Sequence, residues 1–273
     1  MNELQQTEFD LLRQFTGVCR QLNLRYFLVC GSALGAQKYA GFIPWDDDID
    51  VAMPREDYDV FMEKAQSLLP EHIFLQNYRT DPHYPHYQAK LRNSSTTFLE
   101  NTVAHLPMNH GVFLDIFPLD GYPAVEKEQK RLEGQKTWFK LKQQVMFRSD
   151  CSCKVRLLRR LLRLFGVHKR FSRHIEKFEK AAAIPTASAE TWCNHGNWQG
   201  KKEYAPRWHY VEGKEESFEG LQVCIPESID DYLTQKYGNW REDLPESEKV
   251  GHHYHGVLDL SKPYQAYLQT QKP

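Results

Sequence analysis

Aspartates crowd one short stretch of this chain, Gly41-Phe42-Ile43-Pro44-Trp45-Asp46-Asp47-Asp48-Ile49-Asp50, downstream of a Gly31-Ser32 pair. Asp48 and Asp50 are two residues apart, and side chains so spaced on a strand project from one face, about 6 to 7 Å from each other. Hard oxygen donors at that separation can share a divalent cation or hold two. A third acid, Asp115, interrupts an otherwise apolar run, where burying a carboxylate is costly unless it is paired or bound to metal. The three outline a site for metal-assisted chemistry at phosphorus. Asp48 and Asp50 would hold Mg²⁺, or Mn²⁺ in its place, while Asp115 adds a ligand and takes a nucleophile's proton. Gly31 and Ser32 would cradle phosphate through backbone amides and the Ser32 hydroxyl. Asp46 and Asp47 either assist by charge or are simply solvated.

Positioning these residues takes strands. Residues 26–30 read as a strand ending at Gly31-Ser32, residues 49–53 as a second, and residues 111–121 as a third, closed by proline and glycine. Ser32 is a plausible N-cap for a short helix over 32–38. Leucines and aromatics at helical spacing predict an amphipathic helix over 3–22, and Pro54 followed by acids predicts another running to Leu69. Short β-like runs lie at 73–75, 87–91 and 96–99. Residues 125–183 turn helical and 184–216 irregular, before a strand at 218–225 and a helix ending at Gly238. The expected fold is α/β (α+β): a mixed sheet with helices packed on it, plus a mainly helical additional portion. Its expected divisions are a catalytic core over 1–122, a helical, basic portion over 123–205, and a segment completing the site over 206–273.

Composition sets limits. With 273 residues, 41% hydrophobic and 26% charged, the chain is ordinary for a globular protein, and a net charge of -1 argues against nucleic acid as partner. The first residues lack the pattern of a signal peptide and no apolar run reaches the roughly 20 residues that span a bilayer, so a cytoplasmic location is expected, up to the inner face of the cell membrane. Six cysteines without a regular framework suggest reduced thiols. The charge is locally uneven: Lys154, Arg156, Arg159, Arg160, Arg163, Lys169, Arg170 and Arg173 alternate with leucines and no acid intervenes. Such a stretch either meets an anionic membrane or other polyanion, or is a surface helix with arginines in water.

The Gly31-Ser32 pair and the unbroken Gly-Phe-Ile-Pro-Trp-Asp-Asp-Asp-Ile-Asp string resemble the LicD family of phosphocholine transferases, related to fukutin and fukutin-related protein. The likeness continues through Arg55, Asp57 and Tyr58, through 115–121, and resumes at Phe218-Glu219-Gly220, Pro226, Tyr237-Gly238 and His252-His253. The resemblance implies a nucleotidyltransferase-type fold. It also implies transfer of phosphocholine, or a similar phospho-alcohol, from a CDP-linked donor such as CDP-choline to a sugar hydroxyl. The acceptor would be a lipid-linked glycan precursor of the teichoic acid or lipopolysaccharide kind. Lys90 and Arg92 on an adjacent strand are candidates to clamp donor phosphates, or else surface charges. Trp45, Tyr84, Tyr87, Trp198 and Trp240 are candidates to face the quaternary ammonium, and His252, His253 and His255 to reach phosphate or metal. Two alternatives share these residues: a nucleotidylyltransferase moving the NMP, and a non-catalytic membrane- or glycan-binding relative.

Overall fold

The computed structural model describes residues 1–147, 153–165, 171–197, 199–251 and 253–268. Lys169, Arg170, Trp198 and His252 therefore lie outside the described residues. The chain begins with α1 (Glu3–Leu22), whose start is closed by Asn2: its side chain accepts the Gln5 N–H at 2.8 Å while the Gln5 side chain accepts the Asn2 N–H at 3.0 Å. Leu4, Leu11, Leu12, Phe15 and Val18 form its buried stripe. Gln5 also donates its amide to the carbonyls of Asp46 (3.1 Å) and Ile43 (3.4 Å), so α1 anchors the aspartate-rich loop from below.

There follow β1 (Phe27–Leu28), α2 (Cys30–Tyr39), β2 (Asp50–Pro54), α3 (Arg55–Lys64), β3 (Ile73–Gln76), β4 (Ala89–Asn93), β5 (Thr97–Glu100) and β6 (Val112–Gly121). The helices α4 (Glu126–Phe147), α5 (Cys153–Leu164) and α6 (Phe171–Ala182) come next. The chain continues through β7 (Thr191–Cys193), β8 (Tyr204–Pro206), β9 (Lys214–Phe218), β10 (Leu221–Ile225), α7 (Ile229–Tyr237), β11 (His255–Asp259) and α8 (Gln265–Leu268).

β6 organises the molecule. Buried along its whole length, it lies between β2, which it pairs in parallel, and β4, which it pairs antiparallel, in the order β1-β2-β6-β4-β3. Its last residues turn to pair β7, which carries β8. A strand covered on both faces needs apolar side chains throughout, and the run around Asp115 supplies them. The mixed α/β architecture expected from the sequence is the one observed.

One hydrophobic cluster joins α1, the sheet, the β9–β10 hairpin and α7; a second, under α4 and α6, gathers Tyr78, Tyr84, Tyr87, Phe139, Ile175 and Phe178. Arg55 links them with both ends buried: its guanidinium donates to Asp120 at 2.7 Å and to the Tyr87 hydroxyl at 2.7 Å. Cys19, Cys30, Cys153, Cys193 and Cys224 carry free thiols. Among the described residues, no helix is long and apolar enough to cross a membrane.

Local expectations need correction around the Gly-Ser pair. The strand expected over 26–30 contracts to Phe27–Leu28, because Cys30 takes φ 52° and turns the chain directly into α2. Ser32 is therefore inside the first turn and not the N-cap, a place held by Val29 without a side-chain bond. The second strand begins at Asp50, so Asp48 sits on the segment leading into it and not on the strand itself.

Candidate active site

Backbone pairing brings the acids together. Asp50 is the register partner of Asp115 on the parallel β2–β6 ladder. Three hydrogen bonds fix this junction: Asp50 N–H to the Ser32 hydroxyl (2.8 Å), Val29 N–H to the Asp50 carbonyl (3.0 Å) and Asp115 N–H to the Ile49 carbonyl (2.9 Å). With Asp48 on the segment leading into β2, Asp48, Asp50 and Asp115 offer carboxylate oxygens within 4.8 Å of one another. They lie in a cleft of about 560 Å³ whose walls include Tyr39, Trp45, Phe117, Tyr237 and Trp240.

The electrostatics are those of an overcrowded anion. Burial, then the charges of Asp48 and Asp115, raise Asp50 well above the carboxylate range; burial also raises Asp48, with Asp115 and Asp47 adding to it against the pull of His253. Asp46 is pushed up to about 8 by burial and by Asp48 and Asp47. Glu8, buried beneath the loop on α1, is raised well above its ordinary value by burial and then by the same three aspartates. A histidine far along the chain answers this charge. His253 donates its backbone N–H to Asp47 Oδ2 (3.0 Å) and places Nδ1 3.3 Å from Asp47 Oδ1 and 3.7 Å from Asp48 Oδ2. Burial alone would lower this imidazole, yet Asp48 and Asp47 outweigh it and hold it up at about 10. Asp47, Asp48 and His253 make a second convergent set within 4.8 Å.

Lys90 reaches the cluster from β4, with Nζ 2.8 Å from Asp115 Oδ2 and 3.3 Å above the centre of the Phe113 ring. Asp115 Oδ1 is buried and has no hydrogen-bond partner. An unpartnered carboxylate oxygen facing other carboxylates is costly for the protein alone and suits a hard divalent cation. By that measure the residues present fit Mg²⁺ or Mn²⁺.

The other candidates separate cleanly. Gly31 lines the cleft, and a Cβ there would come 2.7 Å from Asp46 Oδ2, so a side chain would press on the loop. Ser32 is buried, is not among the residues lining the cleft, and accepts the Asp50 N–H with its hydroxyl, so it positions an acid. Arg92, expected as a phosphate clamp, is fully buried. Its guanidinium is spent on Gln76 Oε1 (2.7 Å), the Gly111 carbonyl (2.8 Å) and Glu100 (3.5 Å), and Arg92 itself does not line the cleft. Burial would raise Glu100, but Lys90 and then Arg92 hold it down to about 2. Trp45 and Trp240 line the cleft, whereas Tyr84 and Tyr87 are packed in the second cluster. His255 is exposed, its Nδ1 3.0 Å from the His253 carbonyl.

Sequence reading missed His86, Gln88 and Glu100 near Lys90, and the Gly196-Asn197 turn, all of which border the cleft. That turn is shaped by Asn194, whose Oδ1 accepts both following N–H groups, at 3.0 and 3.2 Å. An Asn-x-Gly-Asn string was the available signal. Glu219 explains Phe218-Glu219-Gly220: at the tip of the β9–β10 hairpin with φ 51°, it accepts the Phe42 N–H at 3.2 Å, and a Cβ on Gly41 would collide with it at 2.2 Å.

A mixed sheet brings three acids together beside the start of a helix, in an aromatic-walled cleft, as a cluster of convergent carboxylates that could hold a divalent cation. Residues 23–155 match the LicD/FKTN/FKRP nucleotidyltransferase domain. The chain is similar to the lipopolysaccharide cholinephosphotransferase LicD of Haemophilus influenzae, 26% identical over 268 residues that cover 93% of this chain and 96% of that protein. An uncharacterized protein of Rickettsia prowazekii is 26% identical over 115 residues, covering 42% of this chain and 40% of its own.

Proposed function

We propose that this protein transfers phosphocholine, or a similar phospho-alcohol, from a CDP-linked donor to a sugar hydroxyl of a lipid-linked glycan precursor. The observation that carries the reading is the Asp50–Asp115 register pairing, completed by Asp48 on the floor of an aromatic-walled cleft. Near full-length similarity to a lipopolysaccharide cholinephosphotransferase supports a lipopolysaccharide-type acceptor; a teichoic acid offers the same hydroxyl chemistry.

Asp48, Asp50 and Asp115 would hold the cation, Mg²⁺ or Mn²⁺, which when bound neutralises diphosphate charge and polarises the phosphorus. Lys90 fixes the Asp115 carboxylate through Oδ2, and Oδ1, buried without a hydrogen-bond partner, would be the atom left to take the incoming hydroxyl proton. Gly31, without a side chain, lets Asp46 pack against the start of α2 at the edge of the cleft. His253 compensates Asp47 and Asp48, so the loop keeps its shape under its own repulsion. Trp45, Tyr39, Tyr237 and Trp240 line the cleft and are the aromatic candidates to meet a quaternary ammonium. Attack on the phosphorus bearing the alcohol releases CMP.

The test is product analysis. Incubation with CDP-choline, Mg²⁺ and a glycan acceptor should yield phosphocholine-modified sugar and CMP. CMP-modified sugar would instead establish a nucleotidylyltransferase, and no turnover together with no donor-induced thermal shift would point to a non-catalytic relative.

A further inference from the structure

One face of α5 carries large apolar side chains that no described part of the chain covers. Leu157 is 62% exposed, Leu161 48%, Leu164 82% and Phe165, just past the helix end, 79%. Positions 157, 161 and 164 share one helical face by their i, i+4, i+7 spacing. The helix is seated by a different side: Leu162 packs against the second hydrophobic cluster and Arg159 donates Nε–H to the Val145 carbonyl at the end of α4 (2.7 Å). The exposed leucines are thus a surface and not part of the core. An apolar stripe of this extent marks an interaction site.

Charge selects the partner. Lys154, Arg156 and Arg160 accompany the stripe on α5, and residues 151–175 contain eight Lys or Arg and no Asp or Glu. A second copy docked face to face would set these like charges against each other. A polyanion in water would engage the arginines and leave the leucines wet. An anionic bilayer uses both, arginines among headgroups and leucines at the acyl boundary.

We infer that α5 is an interfacial helix that lies in the plane of an anionic membrane with Leu157, Leu161 and Leu164 inserted. The binding step stands on α5 alone, and its test does not involve the donor chemistry. The full-length protein should co-sediment with phosphatidylcholine vesicles containing 30% phosphatidylglycerol, and about tenfold less with phosphatidylcholine alone. Raising NaCl from 0.1 to 0.5 M should weaken that binding severalfold. Leu157→Asp with Leu161→Asp, at exposed positions that leave the thermal transition in place, should cut it by about tenfold or more, and Arg156→Glu with Arg160→Glu should cut it comparably. Absence of wild-type binding, equal binding to neutral vesicles, or equal binding by the leucine variant overturns the inference. A concentration-dependent dimer in sedimentation equilibrium that the leucine variant abolishes also overturns it, assigning the face to self-association.

Discussion

Asp50 and Asp115 stand opposite each other on adjacent parallel strands, roughly 4.8 Å apart at the backbone, and both carboxylates contribute to one oxygen cluster. Without a cation that arrangement opposes folding, as the upward shift of Asp50 records. Asp50→Asn should therefore leave the metal-free protein as stable as wild type or more so, abolish the thermal upshift that Mg²⁺ gives wild type, and lower turnover by at least about 10²-fold. Thermal shift with and without Mg²⁺, alongside CMP release, checks all three. Retained turnover would remove Asp50 from the cation set.

Ser32 bonds the Asp50 backbone at 2.8 Å from a buried position. Ser32→Ala leaves that N–H without its acceptor, at a cost of about 1 to 3 kcal/mol, and should lower kcat more than it raises donor KM because a misplaced acid acts on the reacting centre. Ser32→Thr keeps the hydroxyl and should restore most of both. Urea unfolding and steady-state kinetics on the pair decide it; a pure KM effect in the alanine variant would return Ser32 to phosphate binding.

How much of this was legible in sequence depended on range. α1, the helices over 125–183 and the central strand β6 announced themselves by period and composition, and Asp115 stood out because a lone acid in an apolar run is expensive. The local geometry around Gly31-Ser32 did not, since the positive φ of Cys30 and the pull of Asp50 N–H on Ser32 arise only once β1 and β2 pair. Arg92 misled because a strand arginine beside a lysine reads as solvent-facing. Its burial follows from partners at Gln76, Glu100 and Gly111 that only the folded sheet assembles. His253 was visible as a histidine, but its approach to Asp47 spans 206 residues of chain.

Arg55 and Asp120 form a buried pair, 2.7 Å apart, that joins the two hydrophobic clusters without bordering the cleft. Arg55→Met strands a buried carboxylate and should cost about 3 to 5 kcal/mol. Asp120→Asn in that background should recover part of the loss by removing the unpaired charge. Chemical denaturation of the single and double variants measures this, and a fall in activity with unchanged stability would instead assign the pair a direct part in the reaction.

Protonation should couple to metal. Asp46, held at about 8, and His253, at about 10, keep protons in the folded state that the unfolded chain, with ordinary values of 3.8 and 6.5, gives up. Groups raised in this way contribute stability that is lost as pH climbs through the folded values. The metal-free protein should thus weaken from about pH 4 to 8 through Asp46 and from about pH 6.5 to 10 through His253, by up to about 1.4 kcal/mol per pH unit for each group within its own window. Mg²⁺ should flatten that decline, and its binding at pH 7 should release protons. Titration calorimetry in two buffers of different ionisation enthalpy reads the release directly; a buffer-independent heat would contradict the raised carboxylates.

Trp45, which lines the cleft, already holds a cation: Lys249 Nζ lies 5.3 Å from its ring centre. A ring so placed can exchange one ammonium for another, and a quaternary ammonium, less strongly hydrated than lysine, loses less on leaving water. Trp45→Ala should raise the KM for CDP-choline by roughly 2- to 30-fold, the range of one cation–π contact. Lys249→Met should lower it by removing the competitor. The decisive comparison uses a CDP ester of the neutral isostere 3,3-dimethylbutanol, which has the shape of choline and no charge. Wild type should prefer the choline donor and Trp45→Ala should lose most of that preference; an equal loss on both donors would make Trp45 a shape contact and move charge recognition to Trp240 or Tyr237.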